Sequence, residues 1–298
     1  MNITGETRVL GIFGDPVRHS LSPVMQNAAL QRAGIDAVYL PFRVRSEELA
    51  GAVQSLRALN LWGVNVTIPH KEQVLPYLDA LDPLAARIGA VNTIVNRDGL
   101  LTGFNTDAPG LLASLAEDLA FLPVGRRVLL LGAGGATRAA LVALAEAGAA
   151  WIGVANRTRV RGEQLVENFR AVFPGTEFAA MGLSTAELAA VFPAVDLVIN
   201  STSLGLHGEG FDVLPWHRLA PRAVVLDMVY SADSTPLVAM AREHGYRAAD
   251  GLGMLVGQGE EAFALWTGQR PEPGLMKKTL CDCLGAQNWH LDSTRSHR

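Results

Sequence analysis

Cysteine is scarce in this chain of 298 residues, which contains only Cys281 and Cys283. A C-x-C pair without further cysteines, and without histidine at metal-ligand spacing, is more typical of free thiols than of a zinc site. We therefore expect no metal. Apolar runs are short as well, because none approaches the roughly 20 residues that a membrane helix requires, and the N-terminus lacks a signal-peptide pattern. These absences predict a cytoplasmic, globular protein.

An excess of charge of one sign is also missing. Lysine and arginine number 25, and aspartate and glutamate number 29, which gives a formal net charge of −4. This balance argues against a general affinity for nucleic acids or anionic membranes. The chain does contain many apolar residues, 49% of the total, and it is long enough for two domains with substantial cores. We find no internal repeat and no low-complexity linker.

Apolar strand-like runs alternate with helical patterns along the chain. The predicted strands are 9–13, 37–41, 63–68, 90–95, 100–104, 128–131, 151–155, 177–180, 197–200, 224–228 and 247–249. The predicted helices include 23–33, 46–59, 108–119, 254–267 and 273–284. Asp98-Gly99 is a hairpin turn signal between the fourth and fifth strands. The alternation predicts an α/β protein, with a mainly parallel sheet in an N-terminal domain and a six-stranded doubly wound sheet after it.

The segment from Val128 to Ala140, VLLLGAGGATRAA, combines four apolar residues, a glycine cluster and an alanine-rich run. This order predicts a strand, a turn and a helix. Glycines in such a turn let backbone amides approach a pyrophosphate at the helix N-terminus, where free N–H groups and the helix dipole favour anions. Thr137 stands where the third glycine of G-x-G-x-x-G would fall. An ordinary tight turn therefore stays open as the alternative.

The end of the next strand distinguishes between cofactors. Roughly 20 residues beyond the glycines, an NAD site would place an acidic residue against the ribose. This chain instead has Asn156, Arg157, Thr158, Arg159 and Arg161, with no acidic residue before position 163. Guanidinium groups bind phosphate oxygens, whereas an acid would repel a 2′-phosphate. The sequence predicts a Rossmann-like NADP-binding domain, and a solvated basic helix start is the alternative.

Polar residues that a core does not need follow two strands of the first domain. Ser20 and Ser22 precede Pro23 and a helical run. Two hydroxyls there can bind a carboxylate beside the positive end of the helix dipole, although N-capping is the alternative for Ser22. Lys71 lies beyond the carboxyl end of the third strand, where open α/β sheets bind ligands. A solvated surface lysine is its alternative, and we interpret the neighbouring His70 as structural.

Two further strings place amide, hydroxyl and carboxyl groups beside glycines at strand ends, GAVNT from Gly89 to Thr93 and GFNTD from Gly103 to Asp107. Asp107 precedes a helix, so capping that helix is one interpretation. The other is an ion pair with Lys71. A lysine held by a carboxylate presents an ammonium of fixed orientation, which can pass a proton to an alcohol or carbonyl oxygen.

Nine strings together resemble the shikimate dehydrogenase family, in the family's order and spacing over residues 8–284: SLSP, NVTIPHK, GAVNT, GFNTD, GAGGATRA, NRT, NSTSLGL, DMVYSADSTPL and DGLGMLVGQ. The resemblance implies an NADP-dependent oxidoreductase that reversibly reduces 3-dehydroshikimate to shikimate in chorismate and aromatic amino-acid biosynthesis. It also implies a discontinuous substrate-binding and catalytic domain, 1–106 with 253–298, and an NADP-binding domain, 107–252. One visible departure is Gln26, where the family usually has histidine.

The resemblance also implies roles for individual residues. Lys71 and Asp107 would be the catalytic pair, with Lys71 carrying the proton and Asp107 orienting it. The residues implied to bind the substrate are Ser20, Ser22, Thr67, Asn92, Tyr230 and Gln258. Those implied to bind NADP(H) are Gly132, Ala133, Gly134, Gly135, Ala136, Asn156, Arg157, Thr158, Arg161, Met228 and Gly251. No metal is implied, and residues 287–298 receive no role.

Three other interpretations stay open. A quinate/shikimate dehydrogenase of the same family, with broader substrate or NAD use, often has an acidic ribose reader, which the run from Asn156 to Thr158 argues against. A methylenetetrahydrofolate dehydrogenase would leave SLSP and GFNTD unexplained. A catalytically silent NADP-sensing or partner-binding module would not need both Lys71 and Asp107. We expect a small-molecule partner, and the sequence leaves a homodimer open.

Overall fold

The computed structural model describes residues 3–205, 208–231 and 233–295, with the backbone alone for 286–295. Leu206 and Ala232, which belong to two of the family strings, and the side chains of the 287–298 tail lie outside the described residues. The chain divides into two compact units. The first unit comprises Met1–Gly110 and Leu255–Arg298, and the second unit comprises Leu111–Met254.

Twelve strands and ten α-helices are described. The strands are β1 (Arg8–Gly14), β2 (Ala37–Arg43), β3 (Gly63–Val66), β4 (Ala80–Leu81), β5 (Thr93–Arg97), β6 (Leu100–Phe104), β7 (Arg127–Leu131), β8 (Trp151–Ala155), β9 (Glu177–Met181), β10 (Leu197–Asn200), β11 (Val224–Asp227) and β12 (Arg247–Ala249). The helices are α1 (Ser22–Arg32), α2 (Leu49–Ala58), α3 (Pro83–Ile88), α4 (Asp107–Leu119), α5 (Gly135–Glu146), α6 (Arg159–Arg170), α7 (Thr185–Val191), α8 (Pro236–Glu243), α9 (Leu252–Thr267) and α10 (Leu275–Arg295).

The sheet of the first unit is mixed, with the strand order β2-β1-β3-β5-β6-β4. β1 is parallel to both β2 and β3, and β4 is parallel to β6, whereas β5 is antiparallel to β3 and β6. The β5–β6 hairpin turns at Asp98 and Gly99, both of which have positive φ (52° and 88°), as the Asp-Gly signal predicts. The sheet is thus less uniformly parallel than the sequence pattern suggests.

The register of this sheet collects four loops at one edge. Phe13 at the end of β1 pairs with Val66 at the end of β3. Thr93 at the start of β5 pairs with Asn65 and with Phe104 at the end of β6. The segments that follow β1, β3 and β6, and the segment that precedes β5, therefore leave the sheet side by side. These four segments carry most of the polar residues singled out above.

A continuous core supports that edge. Leu49, Val53 and Leu56 lie on one face of α2, at the i, i+4, i+7 spacing of an amphipathic helix. They are fully buried in a cluster with Val64 of β3 and Ile94 of β5. Burial of a side chain of this size contributes about 1.5–3 kcal/mol. The sheet edge is thereby held on a rigid base.

The sheet of the second unit is parallel throughout, with the order β12-β11-β10-β7-β8-β9. The chain starts at β7, runs outward through β8 and β9, and returns to β10 on the other side of β7. The order therefore reverses between β7 and β10, and ligands of doubly wound sheets bind beyond the strand ends at such a point. Leu129, Leu130 and Leu131 of β7 are buried, as expected for a central parallel strand. The predicted α/β fold class is confirmed.

Two short elements of the first unit were not predicted. β4 has only two residues, too few for a periodic pattern. α3 has the signals of a helix start, because the Asp82 carboxylate accepts the Leu84 N–H at 2.9 Å and Pro83 is its first residue. Among the described residues, no helix is long and apolar enough to span a membrane, and no group of histidine, cysteine and acidic residues could hold a metal ion.

Candidate active site

Lys71 and Asp107 form an ion pair at the loop edge of the first unit. Nζ of Lys71 lies 2.6 Å from Oδ2 of Asp107, and the two side chains are only 18% and 8% exposed. The backbone of Lys71 is fixed to the segment before β5, because the Lys71 carbonyl oxygen accepts the Val91 N–H at 2.8 Å. The lysine is therefore not a solvated surface charge. Partial burial strengthens the attraction over that of an exposed pair.

The Asp107 carboxylate is free to make this pair because another residue caps α4. Oδ1 of Asn105 accepts the backbone N–H groups of Asp107 and Ala108 at 3.1 and 3.3 Å. Nδ2 of Asn105 donates to the Ala90 carbonyl oxygen at 3.0 Å, which fixes the orientation of its amide. The interpretation of Asp107 as the helix cap is therefore wrong. Its position in the first turn also stabilises a negative charge, because the positive end of the helix dipole lies there.

Asn92 and Gln258 complete the surroundings of the pair. Nδ2 of Asn92 donates to Oδ1 of Asp107 at 2.9 Å, and Oδ1 of Asn92 accepts the Thr106 N–H at 2.7 Å. Oε1 of Gln258, on α9, lies 3.5 Å from Nδ2 of Asn92. Each oxygen of the Asp107 carboxylate thus has one donor, Lys71 or Asn92. The structure brings together four of the residues predicted from the sequence.

The two serines lie at the start of α1. Ser22 is the first residue of this helix and is not its cap: its backbone N–H donates to Oγ of Ser20 at 3.3 Å. Ser22 is buried, with 4% of the residue exposed. Thr67 follows β3 and packs against Gly14 at the end of β1, where any Cβ would collide with its methyl group. All three hydroxyls belong to the loop edge of the first unit.

His70 and Gln26 have structural contacts. His70 is fully buried, and its Nε2 lies 2.6 Å from the Val44 carbonyl oxygen, which ties the loop before Lys71 to the chain after β2. This contact agrees with the structural interpretation of His70. Gln26, the residue that departs from the family pattern, is also fully buried and donates from Nε2 to the Gly259 carbonyl oxygen at 2.9 Å. It therefore joins α1 to α9 next to Gln258.

In the second unit, the glycine turn leaves its backbone open to a ligand. Gly132 has φ +112°, and a Cβ there would lie 2.7 Å from Cγ2 of Thr202. Gly134 is exposed, with no other atom within 4 Å of the position where a Cβ would be. Gly135, Ala136 and Ala133 are half-buried around it. The free space in front of Gly134 at the start of α5 fits an anion that approaches the backbone N–H groups.

Thr137 explains how the turn dispenses with a third glycine. Its Oγ1 accepts the Gly134 N–H at 3.1 Å and lies 2.8 Å from Oγ of Ser201. Ser201 donates to the Leu131 carbonyl oxygen at 2.7 Å, so the proton between the two hydroxyls comes from Thr137. The hydroxyl of Thr137 thus fixes the turn to the loop that follows β10. An unconstrained βα turn would have no such brace.

The basic segment after β8 divides into paired and unpaired arginines. Arg159 forms ion pairs with Glu163 at 2.9 Å and with Glu187 at 3.2 Å. Arg157 and Arg161 are exposed, and neither makes an ion pair within the described ranges 3–205, 208–231 and 233–295. Nδ2 of Asn156 donates to the Thr158 carbonyl oxygen at 2.8 Å and orders the segment. Two guanidinium groups are therefore available to a phosphate.

The loop after β11 contains Met228 and Tyr230. The Met228 N–H donates to the Asn200 carbonyl oxygen at 2.9 Å, and any Cβ at Gly251 would collide with the Met228 carbonyl oxygen. The structure thus places Met228 and Gly251 in contact. Oδ1 of Asp227 anchors the loop, accepting from Nδ2 of Asn200 at 2.8 Å and from the Val229 N–H at 3.0 Å. Burial raises the pKa of Asp227, and its hydrogen bonds, the one from Thr235 first among them, only partly offset this.

Comparison with known proteins identifies this arrangement. Residues 12–94 match the shikimate dehydrogenase substrate binding domain, 114–206 match shikimate / quinate 5-dehydrogenase, and 251–281 match the shikimate 5′-dehydrogenase C-terminal domain. The chain is 53% identical to shikimate dehydrogenase (NADP(+)) of Geobacter metallireducens, over 95% of this chain and 99% of that protein. The chain belongs to the shikimate dehydrogenase family.

Solved shikimate dehydrogenases have the same fold. The enzyme of Listeria monocytogenes, in complex with shikimate and NAD, is 36% identical and superposes with a TM-score of 0.87, covering 94% of this chain and 98% of that one. The enzyme of Thermus thermophilus, in complex with NADP(H) and shikimate, is 37% identical with a TM-score of 0.80, covering 91% and 98%. The family predicted from the sequence strings is therefore confirmed.

Sequence reasoning missed several residues that support this shikimate dehydrogenase site. Asn105 could have been found, because an asparagine two residues before Asp107 is a helix-cap signal. Thr137 stands where a third glycine would fall, and the sequence does not show that its hydroxyl braces the turn. Tyr39 and Thr93 gave no signal, since a buried tyrosine or threonine in a strand is ordinary. Their partners are far away in the sequence.

Proposed function

We propose that this chain catalyses the reversible NADPH-dependent reduction of 3-dehydroshikimate to shikimate, a step of chorismate and aromatic amino-acid biosynthesis. The observation that carries the proposal is the largely buried Lys71–Asp107 pair, whose Nζ and Oδ2 atoms lie 2.6 Å apart at the loop edge of the first unit. The first unit is then the substrate-binding and catalytic domain, and the second is the NADP-binding domain. The Geobacter metallireducens relative is named as an NADP(+) enzyme, which agrees with the arginines after β8 that make no ion pair among the described residues.

Neutral hydrogen-bonding groups of the first unit suit a substrate with one carboxylate and several hydroxyls. Ser20 and Ser22 bind the carboxylate beside the N-terminus of α1, where the dipole favours a negative charge. Thr67, Asn92 and Gln258 bind the ring hydroxyls, and Tyr230 stays a prediction as a further substrate residue. A site built to hydrogen-bond a hydroxyl rejects analogues that lack it, because its own polar groups would be left unpaired.

Lys71 transfers the proton. In the reduction, its ammonium donates a proton to the carbonyl oxygen that becomes the alcohol, and in the oxidation its amine accepts that proton. Asp107 orients the Lys71 Nζ through their 2.6 Å contact, while Asn92 and Asn105 fix Asp107. NADP(H) supplies the hydride when bound. The protein's contribution is therefore position and a proton.

The residues of the second unit fit NADP(H) by their chemistry. The open backbone at Gly134, with Gly132, Ala133, Gly135 and Ala136 around it, suits the pyrophosphate. Arg157 and Arg161, with Asn156 and Thr158, suit the 2′-phosphate end. Met228 and Gly251, in contact with each other, are assigned to the nicotinamide end. A cytoplasmic location and a homodimer stay predictions, and light scattering of the purified protein tests the latter.

The experiment is a steady-state comparison of shikimate and quinate, each with NADP and with NAD. We expect oxidation of shikimate with NADP at the highest kcat/KM. Preference for quinate or for NAD would favour the broader quinate/shikimate interpretation. No oxidation of shikimate with NADP, despite binding of the nucleotide, would favour the silent NADP-sensing module and contradict the proposal.

A further inference from the structure

Ser201 follows β10 and makes two hydrogen bonds to the last residue of β7. Its backbone N–H donates to the Leu131 carbonyl oxygen at 3.0 Å, and its hydroxyl donates to the same oxygen at 2.7 Å. A carbonyl oxygen has two lone pairs and can only accept, so the hydroxyl proton of Ser201 is committed to Leu131. Ser201 is thus fixed against β7 at the point where the glycine turn begins.

The directions of two further hydrogen bonds follow from this commitment. Oγ of Ser201 lies 2.8 Å from Oγ1 of Thr137 and can only accept there, so Thr137 donates its one proton to Ser201. Oγ1 of Thr137 in turn accepts the Gly134 N–H at 3.1 Å. Thr137 is fully buried, where water does not compete for these contacts. The two side chains therefore form a hydroxyl brace, which runs from the Gly134 N–H through Thr137 and Ser201 to the end of β7.

The loop that carries Ser201 is itself held from the interior. Oδ1 of the fully buried Asn200 accepts the N–H and the hydroxyl of Thr202 at 3.1 and 2.7 Å. Nδ2 of Asn200 donates to Oδ1 of Asp227 at 2.8 Å. On the turn side, a Cβ at Gly132 would lie 2.7 Å from Cγ2 of Thr202 and 3.2 Å from Oγ of Ser201. The hydroxyl brace therefore connects the turn to a loop that packs against it and is fixed by buried hydrogen bonds.

The hydroxyl brace also decides which backbone groups of the turn are left for a ligand. The first four N–H groups of an α-helix have no partner within the helix, and in α5 they belong to residues 134–137. Thr137 already takes the Gly134 N–H. The N–H groups of Gly135 and Ala136 point out of the start of α5, beside the open space at Gly134. An anion there depends on a turn that keeps these groups aimed at one place.

We propose that Thr137 and Ser201 are positioning residues for the pyrophosphate of the nucleotide, because their hydroxyl brace holds the N–H groups at the start of α5 in the arrangement that binds it. This inference rests on the proposed function, in which the glycine turn binds the pyrophosphate of NADP(H). The two hydroxyl protons stay within the brace and are not donated to the nucleotide. A turn that is already ordered loses less conformational entropy when the anion binds, so its affinity is higher.

Binding to the purified protein tests the inference without turnover. Thr137→Val keeps the shape of the side chain and removes its hydroxyl, and Ser201→Ala removes the other half of the brace. Calorimetry gives the Kd for NADP, for 2′-phospho-ADP-ribose, which lacks the nicotinamide, and for 2′-AMP, which also lacks the pyrophosphate. We expect each variant to raise the first two Kd values about threefold to tenfold, the equivalent of one hydrogen bond, and to leave that for 2′-AMP unchanged. An unchanged Kd for NADP, or equal weakening of all three ligands, would overturn the inference.

Two control variants separate positioning from stability. Thr176→Val removes another buried threonine hydroxyl of the second unit, which donates to the Ala149 carbonyl oxygen at 2.8 Å before β9. It should lower the unfolding midpoint as Thr137→Val does, but leave the Kd for NADP unchanged. Thr137→Ser keeps the hydroxyl and should restore the wild-type Kd. An equal rise of the Kd for NADP in Thr176→Val, or no restoration in Thr137→Ser, would overturn the inference.

The double variant tests whether the two hydroxyls act as one unit. Loss of either hydroxyl breaks the same brace, so Thr137→Val combined with Ser201→Ala should raise the Kd for NADP little more than either change alone. Multiplication of the two single effects would overturn the inference. A wild-type protein that binds NADP, with variants that bind it equally well, would contradict the role of the brace alone. A wild-type protein that does not bind NADP would contradict the proposed function, and this inference with it.

Discussion

Substitution of Asp107 by asparagine cannot preserve the contacts of the carboxylate, although the two side chains have the same shape. Oδ2 of Asp107 accepts from Lys71 at 2.6 Å, and Oδ1 accepts from Asn92 at 2.9 Å. An amide has one oxygen and one NH2 group, so in either orientation its NH2 group faces a donor. Asp107→Asn therefore breaks one contact and removes the charge opposite Lys71.

The size of the effect can be worked from the geometry. Two unit charges 2.6 Å apart attract each other by about 6 kcal/mol at an effective dielectric constant of ~20. Desolvation of two side chains that are 18% and 8% exposed offsets part of this, so we expect a loss of about 2–3 kcal/mol of unfolding free energy. Because Lys71 also loses its fixed orientation, kcat for shikimate oxidation should fall by about 100-fold or more.

Steady-state kinetics and thermal unfolding test this expectation together. Asp82→Asn is the control, since it removes a carboxylate at the start of α3 in the same unit but leaves an equally good helix cap. The control should keep both kcat and the unfolding midpoint. Wild-type turnover in Asp107→Asn would refute the reasoning, because the pair would then be a structural ion pair without a part in proton transfer.

Arg157→Ala should raise the KM for NADP by about tenfold or more and leave the KM for NAD unchanged, because a charge-assisted hydrogen bond to the 2′-phosphate is lost. Arg159→Ala is the control, since the Arg159 guanidinium is already paired with Glu163 and Glu187. An equal rise of the KM for NADP and for NAD in Arg157→Ala would dismiss the assignment. Asn105→Ala should lower stability by about 1 kcal/mol and also lower kcat, since the catalytic carboxylate loses its support. Asp82→Ala should cost similar stability, and a similar loss of kcat there would contradict that explanation. Asp227→Asn should stabilise the protein at neutral pH, because burial raises the pKa of this carboxyl and the ionised form is disfavoured only in the folded state. As the pH falls through the folded pKa towards the unfolded value, the wild type gains the same stability, so unfolding midpoints of the two should converge; a difference independent of pH would disprove this.

Much of the fold followed from local patterns. Alternation of apolar runs with helical periodicity predicted strands close to β7, β8, β10 and β11, because a buried parallel strand is a short continuous apolar run. The two-residue β4 escaped, since its pairing with β6 depends on tertiary contacts. The sequence pattern also suggested more parallel pairing in the first unit than the structure has, because the direction of β5 follows from the chain path and not from its composition.

The candidate site was predicted in its residue types but not in its connections. Lys71 and Asp107 are 36 residues apart, and Asn92 and Gln258 are 166 apart. Whether Asp107 caps a helix or pairs with the lysine depended on Asn105, which takes over the cap. Arg159 pairs with Glu163, one helical turn further along, and also with Glu187, which lies 28 residues away and could not be foreseen from the local sequence. Which partner a polar side chain takes depends on which donor or acceptor the fold brings within about 3 Å of it, and the sequence does not contain these distances.

The sequence by itself determined the α/β architecture, the glycine turn, the basic segment that favours NADP, and the family. Each of these depends on short runs of consecutive residues, which can be recognised without knowing the fold. Only the tertiary structure decided which polar groups are already used and which remain free for a ligand. The physical reason is that each N–H or O–H group has one proton to donate, so a group that is already paired within the protein is less available to a ligand. The Asp107 carboxylate is paired with Lys71 and Asn92 because Asn105 has taken over the helix cap, whereas the Arg157 guanidinium, unlike that of Arg159, makes no ion pair among the described residues.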